Sequence, residues 1–229
     1  MRTPIKLLVA LSVIVGAGVL TLCGYAFFIK VQAESLLKDL TKITVGSSTE
    51  SDVEQLTRKH SRYFVSREYN DGVVITTFKV DNRWLAALRL EPAALFGAAV
   101  HVQNGRAYHI SAWLMRSMDI YPTFSASAGM VDEYAELPKF LSRGGAHYEF
   151  PTPVGKPYLR IRLDSHAAAL QRRHGFAFSF SCLIKPGGGC DLPCDYLPLA
   201  WQDWETDLRE RGLSDLFNQH YPNSSRCTQ

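Results

Sequence analysis

The sequence predicts an α+β protein in which one N-terminal transmembrane helix precedes an antiparallel meander sheet with helices packed on it. Residues 7–29 contain no charged side chain. As a helix they reach roughly 34 Å, enough to cross a hydrocarbon core of about 30 Å. Further along, alternating apolar and polar residues flank the turn sequences Asn70-Asp71-Gly72 and Asn104-Gly105, a pattern typical of β-hairpins. We therefore expect a cytoplasmic tail (1–6), a transmembrane helix (7–29) and an extracytoplasmic α+β domain (33–229), with a candidate sub-boundary near 118–145.

The apolar segment is predicted to remain in the mature protein as a membrane anchor. A signal peptide usually has only about 7–15 apolar residues before its cleavage site. Val31-Gln32-Ala33 resembles such a site, so a secreted protein with a cleaved leader is the alternative. A lipid anchor at Cys23 is disfavoured because Leu22 stands where a small residue is usual.

Basic residues on both sides of the apolar segment bear on its orientation. Arg2 and Lys6 favour a cytoplasmic N-terminus, whereas Lys30, Lys38 and Lys42 weaken that preference. The cysteines described next give independent support for a domain outside the cytoplasm. We predict a single-pass protein of the cell membrane with its N-terminus in the cytoplasm and its C-terminal domain outside.

Four cysteines lie in the last quarter of the chain: Cys182, Cys190, Cys194 and Cys227. An even set of this kind predicts disulfides and an oxidising compartment. A zinc site is the less favoured interpretation because the four cysteines do not form the two closely spaced pairs that are typical of zinc knuckles. Of the three pairings that four cysteines allow, we predict Cys182–Cys190, which clips a glycine-rich loop, and Cys194–Cys227, which pins the tail.

The remaining elements follow from local patterns. Residues 33–41 predict a short juxtamembrane helix, and a capping box at Thr49 and Asp52 predicts a second helix that ends near His60. Strands are predicted at 62–69, 73–80, 98–103, 106–114, 158–164 and 175–183, with a further strand at 83–90. Helices are predicted at 132–141, at 165–174 and at 200–211, where Gly212 ends the last one.

The run TVGSSTESDV, from Thr44 to Val53, resembles the helix opening of the SmpA/OmlA family of envelope modules. In that family, two helices pack on a three-stranded antiparallel sheet, as in the β-lactamase-inhibitor-like fold. The resemblance covers residues 36–114. The chain departs from the family because it has a membrane span in place of a lipid-modified cysteine and a long additional C-terminal half. The resemblance implies a binding or assembly role and assigns no individual residue to a site.

No catalytic, cofactor-binding or metal site is predicted. The histidines show no His-Glu-x-x-His spacing, and Ser181-Cys182 lacks the glycines of a nucleophile elbow. Two groups of basic residues could contact an acidic partner or a lipid headgroup, although such groups usually form solvated faces. They lie at 58–62 and at 172–174, and Arg160 and Arg162 extend the second group. The seven histidines are His60, His101, His109, His147, His166, His174 and His220.

Charge and composition narrow the function class. Twenty-five basic residues against 22 acidic ones give a net charge of only +3, which argues against a dedicated nucleic-acid binder. We expect a membrane-anchored binding or scaffold protein of the cell envelope, with a protein partner there and no cofactor. A membrane-anchored enzyme is the alternative, and a deep pocket holding a histidine and a carboxylate within hydrogen-bond reach would favour it.

Overall fold

The computed structural model describes residues 3–90, 93–118, 121–131, 142–143, 146–149, 158–164, 167–184, 190, 192–212 and 227. It begins with one helix, α1 (Thr3–Leu40, 38 residues). Within α1, Val9–Leu40 is long and apolar enough to cross a membrane. The separate helix predicted at 33–41 is wrong, because α1 continues to Leu40 without a break. Neither Gly nor Pro occurs between Lys30 and Leu40, so nothing in the backbone interrupts the helix.

Helix α1 has two halves with opposite surroundings. In the exposed half (residues 9–24), apolar side chains such as Val13, Ile14 and Leu20 face outward all around the helix. In the packed half (residues 25–40), the buried residues recur every three or four positions, so they form one stripe. These buried apolar residues are Ile29, Ala33, Leu36, Leu37 and Leu40.

The packed half of α1 lies on one face of an eight-stranded, mostly antiparallel sheet in the order β1-β2-β3-β4-β5-β8-β7-β6. Strands β1 to β5 form the predicted meander, which confirms the α+β fold class. Strand β8 then pairs parallel to β5, so the meander does not continue through the whole sheet. The strands are Phe64–Asn70, Val73–Asp81, Ala93–Gln103, Arg106–Met118, Tyr121–Val131, Ser142–Arg143, Ala146–Glu149 and Tyr158–Asp164.

Both predicted hairpin turns are confirmed. Asp71 and Gly72 join β1 to β2, and Asn104 and Gly105 join β3 to β4. All four residues have positive φ angles, between 49° and 81°. Two consecutive residues with positive φ make the turn whose twist matches the flanking strands, and Asn-Gly and Asp-Gly are the pairs that adopt it most easily.

The described residues contain five shorter helices. Helix α2 begins with the predicted capping box, in which the Thr49 backbone N–H donates to the Asp52 carboxylate at 2.7 Å. The C-terminal helix is close to its predicted bounds, and Gly212 beyond it has a φ of 71°. The helices are α2 (Glu50–Lys59), α3 (Arg83–Ala87), α4 (Ala169–Gly175), α5 (Pro193–Tyr196) and α6 (Pro198–Glu210).

Two predicted strands are wrong. Residues 83–90 contain α3, because buried Asn82 accepts the Ala86 N–H at its backbone carbonyl and starts a helical turn. Residues 175–183 contain the end of α4 and a 3-10 turn at Phe180–Leu183. The segment packs across the face of the sheet, so every second side chain is buried against it. This alternation is the same as in a half-buried strand.

The remaining predictions concern two helices, the candidate sub-boundary and strand β8. The helix predicted at 165–174 begins later, as α4 at Ala169. The helix predicted at 132–141 lies outside the described residues, and so does most of the candidate sub-boundary near 118–145. The predicted bounds of β8, 158–164, are confirmed.

Candidate functional site

The packed half of α1 and helix α4 enclose a cavity of about 630 Å³ against the face of the sheet, which we call the stem cavity. Small-molecule sites are usually clefts of roughly 300–1,000 Å³ with mostly apolar walls and a few convergent polar groups. The stem cavity has this character. Its lining comes from α1 and the following loop (Glu34, Leu37, Lys38, Thr41, Ile43, Thr44), from the sheet (Ile110, Met130) and from the α4 region (Arg172, Arg173, Phe176, Ala177, Phe178, Phe180).

The apolar wall of the stem cavity is built from three phenylalanines at alternating positions. Phe176, Phe178 and Phe180 are buried. The rings of Phe178 and Phe180 both contact the ring of Phe96 on β3, with centroids 5.8 and 4.8 Å apart in edge-to-face geometry. Edge-to-face contacts stabilise aromatic clusters beyond the burial of area, so this wall is well defined.

The mouth of the stem cavity is charged. Lys38 and Glu34 come from α1, and Arg172 and Arg173 come from α4. These four side chains are exposed or half-buried, so their charges face both the cavity and solvent. Three of the four charged side chains described at the mouth are cations, which favours an anionic group there.

Helix α4 is held in place by a hydrogen bond to α6. The Nδ1 atom of His174 lies 2.9 and 3.0 Å from the two carboxylate oxygens of Asp203. His174 follows Arg172 and Arg173 directly, so this contact fixes the helix that presents both arginines. In the basic group predicted at 172–174, the two arginines therefore line the cavity, and His174 positions the helix that carries them.

The two predicted cysteine pairs are the pairs that the structure places at bonding distance. Cys182 pairs with Cys190 and Cys194 with Cys227, with Cα–Cα distances of 5.8 and 5.7 Å. Cys23 in α1 is unpaired and exposed. Among the described residues, no group of three His, Cys, Asp or Glu side chains could hold a metal ion.

The first cysteine pair supports the phenylalanine wall. The Tyr196 hydroxyl donates to the Cys190 carbonyl at 2.8 Å, and the Ser179 backbone N–H donates to the Tyr196 carbonyl at 2.8 Å. Ser179 lies between Phe178 and Phe180 in the chain. The disulfide segment is thus hydrogen bonded to the strip of backbone that carries the cavity wall.

Asn82 connects the same segment to the sheet, and the sequence reasoning missed it. Its side-chain carbonyl accepts the Ala94 N–H at 2.8 Å, and its side-chain amide donates to the Leu183 carbonyl at 3.0 Å. Asn82 is fully buried, so each of these bonds replaces a bond to water. A polar Asp81-Asn82 pair directly after an apolar strand is a turn signal that could have revealed it.

In the other predicted basic group, at 58–62, two residues make a structural contact with α1. Buried Asp39 near the end of α1 accepts hydrogen bonds from Lys42 (2.7 Å), Lys59 (2.7 Å) and His60 (2.9 Å). Burial alone would raise the pKa of Asp39, but these three bonds outweigh it and hold the pKa well below its usual range. The cluster ties α1 to α2, and this role explains Lys59 and His60.

Two histidines lie on the sheet face opposite α1. The rings of His101 on β3 and His109 on β4 are 4.6 Å apart at a register shift between the strands. Burial, with smaller contributions from His101 and Arg162, lowers the pKa of His109 to about 4. His109 is therefore neutral at physiological pH and contributes packing rather than charge.

The other three histidines are not described in any candidate site. His147 lies on β7, and His166 and His220 lie outside the described residues. The two histidine–carboxylate pairs, His60–Asp39 and His174–Asp203, do not line the stem cavity. Among the described residues, the lining of the stem cavity therefore contains no histidine beside a carboxylate.

The sequence identified Arg172 and Arg173 as a basic group but missed the cavity they border. The other lining residues of the cavity come from four separate parts of the chain, so no single sequence motif contains them. No family model, curated protein or solved structure matches this chain.

Proposed function

We propose that this protein is a membrane-anchored, extracytoplasmic binding protein of the cell envelope whose stem cavity binds an anionic amphiphile. The observation that carries the proposal is the stem cavity itself: an apolar space of about 630 Å³ whose mouth is lined by Lys38, Arg172 and Arg173. An apolar interior suits a hydrocarbon chain, and a cationic mouth suits the carboxylate or phosphate at its end.

The membrane anchor is supported by the exposed half of α1. Its apolar side chains are largely exposed in the described part of the chain, and burying them in water-free hydrocarbon is strongly favourable. The two cysteine pairs support a domain in an oxidising compartment, outside the cytoplasm. Protease added on the outer side of intact cells should therefore digest the domain.

A binding role is supported more strongly than catalysis. In the part of the chain that the structure describes, both histidine–carboxylate pairs make contacts between helices and neither lines the stem cavity. The resemblance of residues 36–114 to the SmpA/OmlA module points the same way, because that family implies binding or assembly. A protein partner in the envelope remains part of this proposal, as the recipient or donor of the bound amphiphile.

Ligand binding can be tested with the full chain reconstituted in lipid nanodiscs. A fluorescent polyene fatty acid is titrated into wild type, into Arg172→Glu/Arg173→Glu, and into Arg58→Glu, which reverses an exposed charge on α2 that does not line the cavity. We expect saturable binding that the double variant weakens by about tenfold or more, corresponding to about 1.4 kcal/mol, while Arg58→Glu binds like wild type.

Two results would contradict the proposed ligand class. One is the absence of saturable binding by a folded wild-type protein. The other is a loss of affinity in Arg58→Glu that is half or more of the loss in the double variant on a free-energy scale, because a probe that responds only to overall charge would follow the changes in net charge of −2 and −4. A fatty alcohol of the same chain length should bind less tightly than the acid, because it lacks the charge that the mouth attracts.

A further inference from the structure

Helix α3 and the residues after it expose an unusual amount of apolar surface. Trp84 is 64% exposed, Leu88 56% and Leu90 45%, whereas Leu85 between them is buried. Trp84 and Leu88 are four residues apart and so lie on the same side of this turn. Single exposed apolar residues are ordinary on protein surfaces, but a contiguous group indicates an interaction site. We call Trp84, Leu88 and Leu90 the α3 patch.

The α3 patch is fixed at a particular height along α1. Tyr25, Phe28, Arg83 and Trp84 line a common cavity of about 290 Å³. The α3 patch therefore lies beside the first turn of the packed half of α1, directly next to the exposed half.

That height coincides with the expected edge of the hydrocarbon core. Residues 7–24 extend roughly 27 Å as a helix, close to the hydrocarbon thickness of about 30 Å. Tyr25 is five residues before Lys30, so it lies roughly 7.5 Å closer to the membrane along the helix axis. An element at the level of Tyr25 is at the boundary between acyl chains and headgroups.

The surroundings of the α3 patch have the composition of a membrane interface. The guanidinium carbon of Arg62 lies 5.4 Å from the centre of the Phe28 ring. The guanidinium of Arg83 donates to the Asp81 carboxylate at 3.0 and 3.1 Å but leaves the side chain 72% exposed, and Arg89 is also exposed. Aromatic rings with arginines beside them are typical of the headgroup level, where the ring takes the apolar side and the cation contacts lipid phosphates.

We propose that the α3 patch inserts into the headgroup region of the bilayer that α1 spans, so that the domain is seated on the membrane surface. This inference rests on the membrane anchor of the proposed function. It adds that the domain contacts the membrane at a second place, the α3 patch, besides its covalent connection to the membrane-spanning part of α1. Along α1, the cavity residues Glu34 to Thr41 then lie roughly 6–17 Å beyond Lys30, within reach of lipids drawn from the same leaflet.

The seating is tested by the fluorescence of the full chain reconstituted in vesicles whose lipids carry brominated acyl chains. Bromine quenches tryptophans only at close range, so the difference between wild type and Trp84→Phe reports Trp84 alone. We expect Trp84→Phe to remove most of the bromine-sensitive emission. The matched control, Trp204→Phe on α6, should leave it unchanged. A second variant, Leu88→Glu, should reduce the quenching while Trp84 is still present.

Flotation of the same vesicles on a density gradient separates the two levels of the proposal. If the protein floats but bromine quenching is the same in wild type and in Trp84→Phe, the seating is overturned and the anchor stands. If the protein does not float, the anchor fails and the seating fails with it. If the protein floats and Trp84→Phe and Leu88→Glu both lose quenching, the seating is supported.

Discussion

The exposed and packed halves of α1 belong to one unbroken helix, but they are specified by different properties of the sequence. The exposed half is apolar on every side, so any rotation of the helix presents the same surface. The packed half is apolar on one stripe and carries Glu34, Lys38 and Lys42 around it or just beyond its end. Composition is therefore sufficient for a segment that faces lipid, whereas a segment that faces a protein core requires a pattern.

The difference also shows where one environment replaces the other. The predicted span, 7–29, includes Ile29, which the domain buries, and Tyr25, which the domain partly covers. Apolar residues at 25–29 thus fit both lipid and protein, and the sequence cannot assign them to either. The two halves contribute separate free energies, one of membrane insertion and one of domain folding, and each should be removable without the other.

The largest expected effect is a double dissociation between the two halves. Leu36→Asp places a charge at a fully buried position of the packed half and should destabilise the domain by more than about 4 kcal/mol. Leu20→Asp, at a position that is 75% exposed, should leave domain stability unchanged but cost about 2–3 kcal/mol of membrane insertion. Urea unfolding in detergent measures the first effect, and carbonate extraction of membranes measures the second.

If Leu36→Asp does not fold at all, Leu36→Ala supplies a measurable value, expected at about 2–5 kcal/mol. Equal destabilisation of the domain by Leu20→Asp would show that the exposed half packs on protein after all. Release of Leu36→Asp from carbonate-washed membranes would show that the anchor depends on the folded domain.

The contrast between composition and pattern also explains what the sequence could predict. The hairpins were predictable because Asp71-Gly72 and Asn104-Gly105 encode their turns locally. The structure of segment 175–183 was not predictable. Alternating apolar residues occur in a strand of a sheet and also in a non-strand segment that packs on the face of a sheet.

The stem cavity could not be predicted, since its lining is assembled from separate elements by the packed half of α1. Asn82 illustrates the same limit. Its partners, Ala94 and Leu183, are 12 and 101 residues away, so no local pattern contains them.

The next largest effect comes from the disulfides, which should stabilise the domain and leave the exposed half of α1 unaffected. The Cys194–Cys227 bond closes a loop of 33 residues, and chain entropy predicts a loss of about 3–4 kcal/mol for Cys194→Ser/Cys227→Ser. The Cys182–Cys190 bond closes only 8 residues and should contribute about 2–3 kcal/mol. Urea unfolding of each double variant in detergent measures both values.

Membrane retention of these variants in carbonate should match wild type. Non-reducing peptide mapping of the native protein should recover the same two pairs. A Cys190–Cys194 peptide would refute the pairing, and four free thiols would refute the oxidising compartment.

The smallest expected effect concerns the end of the packed half, where Asp39 holds α2. Asp39→Asn removes the charge that Lys42, Lys59 and His60 contact, and should destabilise the domain by about 1–3 kcal/mol at pH 7. Because the folded-state pKa of Asp39 lies below its unfolded value, the charge stabilises the domain above the unfolded pKa of about 3.9. This contribution is lost as the pH falls toward the folded pKa.

The difference in unfolding free energy between wild type and Asp39→Asn should therefore shrink as the pH is lowered below about 4, as measured by urea unfolding at several pH values. Glu34→Gln is the matched control on the same helix. Glu34 is half exposed and lies 3.8 Å from Lys30 in an ion pair along the helix, so its loss should cost less than about 0.5 kcal/mol. A difference for Asp39→Asn that stays constant from pH 7 to pH 3 would mean that Asp39 stabilises the domain through its shape and hydrogen bonds, and that its charge has no part in joining α1 to α2.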